Sequence, residues 1–274
     1  MKPIWREKRS TRSSRTESVM GMDDRHKRII NLLKEEGRIR VEDLAEMLNV
    51  SQVTTRKDLD TLESRGLIER IHGSAIISQQ SRYNIAFLEK FQMNATAKKR
   101  IAEAALEYIS EGDSIILDAG TTTFSLAQAL PGKFKSLFVI TNSVPAALEM
   151  AKAGYEILLV GGQVRNHSLA LMGPAAVKTL DSYHANRAFI GASGITLSHG
   201  CSTPYALDAE IKEAMIRAAD ETYILCDSSK FGYNCLVSFA HLSAIQLVIT
   251  DSGISPNHFE ELGREGIQSK IIDL

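Results

Sequence analysis

Five short loops in the second half of the chain combine glycine with hydroxyl, amide and carboxylate side chains, and each directly follows an apolar run. Asp118-Ala119-Gly120-Thr121-Thr122-Thr123 follows Ser114–Leu117, Thr141-Asn142-Ser143 follows Leu137–Ile140, and Gly161-Gly162 follows Ile157–Val160. Gly191-Ala192-Ser193-Gly194 follows Ala188–Ile190, and Asp227-Ser228-Ser229-Lys230 follows Tyr223–Cys226. Glycine lets a ligand approach the backbone, a helix N-terminus offers free N–H groups, and threonine hydroxyls add donors, which together suit a phosphate. Lys230 adds a cation. One glycine after a strand is an ordinary turn; five such loops at the carboxyl edge of one sheet favour a phosphorylated sugar or polyol. The expected effector contacts are Asp118, Gly120, Thr121, Thr122, Thr123, Thr141, Asn142, Ser143, Gly161, Gly162, Ser193 and Lys230. Neither a Walker A pattern nor a G-x-G-x-x-G fingerprint occurs, which disfavours a nucleotide.

To bring these loops together, the apolar runs must lie side by side as strands. They are continuous rather than alternating, as expected for strands covered on both faces by helices. A sixth run, Leu247-Val248-Ile249, follows the same rule. Helical patterns fall near residues 98–109, 124–130, 144–153, 174–180 and 208–219, so the region from 98 to 274 reads as an open, mostly parallel α/β domain. Lys98-Lys99-Arg100 reads as a solvated helix start.

The first third differs. Residues 24–36 carry an apolar stripe of Ile29, Ile30, Leu32 and Leu33 closed by Gly37, and a second helix spans about Glu42 to Leu48. Asn49-Val50 then turns the chain, and Ser51 is placed to cap a third helix whose Thr55, Leu59 and Leu62 face inward. Two β-branched runs, Leu67–Ile71 and Ala75–Ile77, flank a glycine turn and read as a hairpin. Three helices and a hairpin make a winged helix-turn-helix over residues 23–78, with a linker at 79–97. Such a unit places the start of its second motif helix in the major groove. The expected DNA contacts are Ser51, Gln52, Thr54, Thr55, Arg56 and Lys57 on that helix, with Arg70 and His72 in the wing. Glutamine pairs with adenine and arginine with guanine, serine suits a phosphate, and lysine suits a phosphate or a guanine. Asp58, Asp60 and Glu63 on the same helix speak for an ordinary solvated charged face instead.

Charge does not settle that choice globally. Residues 1–22 hold six basic and two acidic side chains and read as a disordered basic tail, whereas 23–80 hold ten against eleven and the remainder sixteen against twenty. A basic excess over the whole chain is missing, so contact with DNA must come from local placement. Three cysteines, Cys201, Cys226 and Cys235, lack C-x-x-C spacing and read as reduced thiols of a cytoplasmic protein. No apolar run approaches the roughly 20 residues of a membrane span. His167, His184, His199 and His241 show no metal-ligand spacing.

Arg38-Ile39-Arg40-Val41-Glu42-Asp43-Leu44-Ala45, Asn49-Val50-Ser51, Thr54-Thr55-Arg56-Lys57-Asp58-Leu59, Leu62-Glu63, Gly66-Leu67 and Arg70-Ile71-His72-Gly73 resemble the DeoR family of bacterial transcriptional regulators. The resemblance runs from about residue 24 to the end. Thr55 stands where the family usually has isoleucine, and Ser74 where it usually has a second glycine, while Lys98 falls where the family often has a lysine near the ligand cleft. The resemblance implies a repressor of carbohydrate genes that binds operator DNA, senses a phosphorylated sugar and assembles as a dimer or tetramer, with no cofactor or metal. It also implies that the second domain is similar to type A ribose-phosphate isomerase, which opens the alternative of an enzyme. Isomerisation needs carboxylates as acid and base. The isomerase's acidic run is replaced here by Gly191-Ala192-Ser193-Gly194. Counting back without gaps from Asp227, its catalytic glutamate falls at Lys212, which joins the effector contacts; Glu210 and Glu213 lie close enough to leave that register open.

Overall fold

The computed structural model describes residues 22–64, 67–71, 73–77 and 87–274. The chain divides between Asn84 and Ile85 into two compact units.

The first unit runs α1 (Met22–Glu36), β1 (Arg38–Arg40), α2 (Val41–Met47), α3 (Gln52–Ser64), β2 (Ile68–Ile71) and β3 (Ser74–Ile77). Ile29, Leu33, Leu44, Leu59, Leu62 and Ile68 are almost completely buried and form one core. Each such side chain contributes about 1.5–3 kcal/mol of burial, enough to hold three short helices. Asn49 takes a left-handed φ of 52° in the turn between α2 and α3, and Ser51 Oγ accepts the Thr54 N–H at 3.1 Å, as an N-cap does. The hairpin is present, with Arg70 opposite Ala75. Its third strand, β1, pairs antiparallel with β3 and was not expected, because a three-residue Arg-Ile-Arg segment buries only Ile39 and is too short to show a period.

The second unit begins within the expected linker. Helices α4 (Phe87–Gln92) and α5 (Ala95–Ala105) precede β4 (Ser114–Leu117), α6 (Thr121–Ala129), β5 (Phe138–Thr141), α7 (Val144–Lys152) and β6 (Glu156–Leu159). A hairpin of β7 (Gln163–Arg165) and β8 (Ala170–Met172) leads to α8 (Pro174–Leu180) and β9 (Ala185–Ile190). Next come β10 (Gly194–Thr196), β11 (Gly200–Thr203), α9 (Ala206–Arg217), β12 (Ala219–Leu225), β13 (Val237–Ala240), β14 (Leu247–Asp251), α10 (Pro256–Arg264) and β15 (Ser269–Ile272). Seven strands form one parallel sheet in the order β15-β14-β12-β9-β4-β5-β6. Ile116, Ile140 and Ile224 enter one apolar cluster, and their neighbours Ile115, Leu117, Val139, Tyr223 and Leu225 enter the other. Because successive side chains point to opposite faces, a sheet covered on both sides needs apolar residues at every position. The small antiparallel sheet β10-β11-β13 has strands of three or four residues, too short to show a hydrophobic period.

Strands β5 and β6 extend the sheet away from β4 on one side, while β12, β14 and β15 extend it from β9 on the other. The crevice beyond the carboxyl ends of β4 and β9 is therefore the topological switch point, where open α/β sheets bind ligands.

Helix α4 is absent from the sequence reading because six residues with one buried phenylalanine give no helical stripe. Its Phe87 and Phe91 meet Phe124 of α6 edge-on, with ring centroids 5.3 and 5.2 Å away. These aromatic contacts dock an element too short to persist alone. Replacing Phe87 by Ala is expected to speed hydrogen exchange of the Leu88–Gln92 amides by at least about tenfold, while those of β9 stay protected. Equal protection of α4 in both proteins would show that the aromatic contacts do not hold it.

Candidate functional site

At the switch point the central feature is an ion pair. Asp118 ends β4 and Lys212 projects from α9; both are buried, and Lys212 Nζ donates to Asp118 Oδ2 at 2.5 Å and to the Gly191 carbonyl at 3.0 Å. The Gly191 N–H donates to the same Asp118 oxygen at 3.0 Å. Burial opposes the Lys212 ammonium, but Asp118 and then Asp208 outweigh it and hold its pKa above the ordinary lysine value. Asp118 Oδ1 is buried without a hydrogen-bond partner. A β-carbon on Gly120 would stand 3.1 Å from Thr123 Oγ1 and 3.3 Å from Asp118 Oδ2, a tight fit that either side chain would have to relieve by shifting.

A second pair sits past β12. Asp227 Oδ1 accepts the amide of Asn94 at 2.9 Å and the Ser229 hydroxyl, while Lys230 Nζ lies 3.7 Å from Asp227 Oδ2. Burial alone would raise the Asp227 carboxyl; Lys230, Ser229, Asn94 and Lys98 together keep it below the usual carboxylate range. Lys98 is a correction to the sequence reading. It is buried, and its ammonium donates to the carbonyls of Lys90 and Met93, each at 2.5 Å, so it caps the end of α4. Burial and the nearby cations Lys230 and Lys90 lower it to about 8, against the pull of Asp227. Lys90 is exposed over most of its side chain, yet local desolvation of its ammonium, followed by Lys230 and Lys212, lowers it, although Asp208 and Asp118 act in the other direction. Four lysines and three aspartates from five separate segments thus share one crevice.

Several expected contacts have other work. Thr123 Oγ1 donates to the carbonyls of Asp118 and Gly120 at 2.6 and 2.7 Å, closing the turn into α6. Thr141 Oγ1 donates to the Leu117 carbonyl at 2.6 Å and accepts the Ser143 N–H, and Ser143 caps α7 through the Ala146 N–H. Those hydroxyls close the turns into α6 and α7. Thr121 and Thr122 are buried at the start of α6. Asn142 donates to the Leu171 carbonyl, and its buried Oδ1 lacks a partner. Gly161 and Gly162 have φ of 73° and 105°, and a β-carbon on Gly162 would stand 2.6 Å from the Met172 carbonyl oxygen, so they serve the turn into β7. The backbone of Ser193 donates to the Ser202 carbonyl. Of the three residues near the isomerase glutamate position, Lys212 points inward while Glu210 and Glu213 are exposed. Sequence reasoning missed Lys90, Asn94 and Asp208; only the run of charge around Lys98 gave a signal.

In the first unit, Ser51, Gln52, Arg56 and Lys57 are exposed along the start of α3, with Thr54 half-buried. Thr55 faces inward as its helical position predicts, and the DNA contact also assigned to it is corrected: it is fully buried and its hydroxyl donates to the Ser51 carbonyl at 3.2 Å. Asp58 is also buried, accepting Arg25 at 2.8 and 3.0 Å and facing His26 Nε2 at 3.1 Å, rather than lying on a solvated face. Arg70 engages Asp60 and Glu63 of α3. His72 lies outside the described residues.

A helix-turn-helix unit followed by a parallel α/β unit with a charged crevice is the layout of a transcriptional regulator carrying a sensor domain. Residues 25–81 match the DeoR-like helix-turn-helix domain, and residues 93–252 match the DeoR C terminal sensor domain. The chain belongs to the DeoR family of transcriptional regulators. It is similar to the HTH-type transcriptional repressor GlcR of Bacillus subtilis, with 33% identity over 93% of this chain and 98% of that one. It is also 33% identical to the lactose phosphotransferase system repressor of Lactococcus lactis, over 89% of this chain and 97% of that one. These relatives are regulators, not enzymes. Among solved structures, a ribose 5-phosphate isomerase A from Methanocaldococcus jannaschii matches 50% of this chain and 55% of its own, with 18% identity and a TM-score of 0.38. Among the described residues no helix is long and apolar enough to cross a membrane, and no group of three or more His, Cys, Asp or Glu could hold a metal ion. The three cysteines are buried and unbridged, and burial pushes Cys201 up to about 12.

Removing one partner of the Asp118–Lys212 pair strands a buried charge. Lys212→Met is expected to destabilise the second unit by about 3–5 kcal/mol, and Asp118→Asn in the same chain to restore most of that loss. Urea denaturation of the three proteins measures it; a loss below about 1 kcal/mol for Lys212→Met would show that the pair does not stabilise the crevice.

Proposed function

We propose that the chain represses carbohydrate genes by binding operator DNA through α3 and releases or changes that binding when a phosphorylated sugar or polyol fills the crevice. The observation that carries this reading is the gathering of Lys90, Lys98, Lys212 and Lys230 against Asp118, Asp208 and Asp227 at the switch point. Such a set leaves positive charge for a phosphate. The buried, donor-free oxygens of Asp118, Asn142 and Asp227 lie past the ends of β4, β5 and β12 and need hydroxyl donors of the kind a polyol brings. One relative is named as the repressor of a lactose phosphotransferase system, in keeping with that ligand class.

On the DNA side, Gln52 and Arg56 read base edges, while Ser51, Thr54 and Lys57 hold phosphates or neighbouring bases. One helix gives too few contacts for a specific site, so two or more copies of the chain assemble to present paired helices. The expected linker, now shortened to the stretch before α4, connects the units. A coupling of about 1–3 kcal/mol between the ligand and DNA sites is enough for control.

Arg56→Ala is expected to weaken binding to a selected duplex by about 1–3 kcal/mol, in fluorescence anisotropy, while ligand-induced thermal stabilisation is kept; undiminished DNA affinity would move the reading helix elsewhere. The crevice has a pH signature as well. Lys98 is held near 8 instead of the usual 10.5, so it is charged at pH 7 and loses its proton on the way to pH 9. Calorimetric affinity for a hexose phosphate is expected to fall across that interval and to stay level in Lys98→Arg, whose guanidinium keeps its charge. A thermal-shift panel in which free sugars and sugar phosphates stabilise the chain equally would overturn the phosphate assignment.

A further inference from the structure

The reading helix is acidic by its own sequence. From Gln52 to Ser64 it carries Arg56 and Lys57 against Asp58, Asp60 and Glu63, a poor endowment for an element placed against phosphates. Tertiary structure reverses the balance. Arg25 of α1 forks onto buried Asp58, with Nε 2.8 Å from Oδ2 and Nη2 3.0 Å from Oδ1. From the other flank, Arg70 of β2 bonds Asp60, its Nε lies 3.4 Å from Glu63 Oε2, and its Nη2 donates to the Arg56 carbonyl at 3.0 Å. Its own backbone N–H meets Glu63 Oε1 at 3.2 Å. The guanidinium is thus spent on three groups of α3, one of them the main chain of the residue proposed to read guanine.

We infer that Arg70 is a positioning residue for DNA recognition and not a groove contact: it neutralises Asp60 and Glu63 and fixes the backbone from which Arg56 projects. This inference rests on the proposal that α3 reads DNA. A rigid fork suits the task because a planar guanidinium engages carboxylate and carbonyl oxygens together, as a lysine ammonium does less well.

A double-mutant cycle in the full chain tests it, read by anisotropy on a duplex that the native protein selects from a randomised pool. Arg70→Met is expected to weaken binding about tenfold in the native background, the scale of coupling between contacting charges. In the Asp60→Asn/Glu63→Gln background the same change is expected to cost less than about threefold, since little charge remains to be neutralised. An equal loss in both backgrounds, accompanied by a salt slope lower by about 1, would make Arg70 a phosphate contact and overturn the inference. An unchanged affinity for Arg70→Met would overturn it as well. Arg56→Ala, measured in both backgrounds, reports on the underlying reading by itself: loss in each supports α3 as the reader, and native affinity would refute that placement whatever Arg70 does.

Discussion

A charge pair taken out of water must be matched closely, and the Asp118–Lys212 pair governs how the second unit is arranged. Its two members come from the end of β4 and from α9, elements 94 residues apart in the chain. Removing ions from water costs several kcal/mol each, and only close geometry with further hydrogen bonds offsets that cost. Here the Gly191 amide and carbonyl supply the further bonds, one to each partner. That requirement ties β4, β9 and α9 together at the switch point, where a β-carbon at 120 or 191 would press on the carboxylate. The same pair leaves one buried Asp118 oxygen without a hydrogen-bond donor.

Around this pair the unit separates structural polarity from binding polarity. The hydroxyls of Thr123, Thr141 and Ser143 terminate strands and start helices, satisfying backbone groups that water cannot reach. Lysines from α4, α5, α9 and the loop after β12 supply the charge. Lys98 has both roles: its ammonium closes the end of α4 and stands within electrostatic range of Asp227 and Lys230. Helix α4, which carries Lys90, is held by aromatic edges on Phe124 and by the Lys98 ammonium on its terminal carbonyls. A ligand that engaged Lys90 would bear directly on the first described element after the connection between the two units.

The first unit uses the same physics with arginine. Helix α3 has its carboxylates neutralised from α1 and β2, just as the crevice acquires its lysines from outside the strands. In both units the net charge of a local segment misstates the field that a ligand or a duplex meets, which explains how a chain with formal net charge −1 can belong to a family of DNA-binding regulators.

The alternation of apolar runs and helical stripes determined the parallel α/β class, because a doubly covered strand must be apolar at every residue, and Ile115, Ile116 and Leu117 show this in three consecutive positions. Ser51 and the stripe Leu59–Leu62 likewise determined the third helix, through a local cap and local periodicity. The loops were legible as a set at one sheet edge, since strand polarity places them there. Which of their side chains remained for a ligand was decided only in three dimensions: a threonine reads the same in sequence whether its hydroxyl is free or closes a turn. Strands of three residues, such as β1, carry no period, and α4 has no stripe. Above all, the partners of Asp118, Asp58 and Asp60 come from residues 94, 33 and 10 positions away. Composition and spacing report what charges a chain contains; folding alone brings them close enough for Coulomb attraction to select their partners.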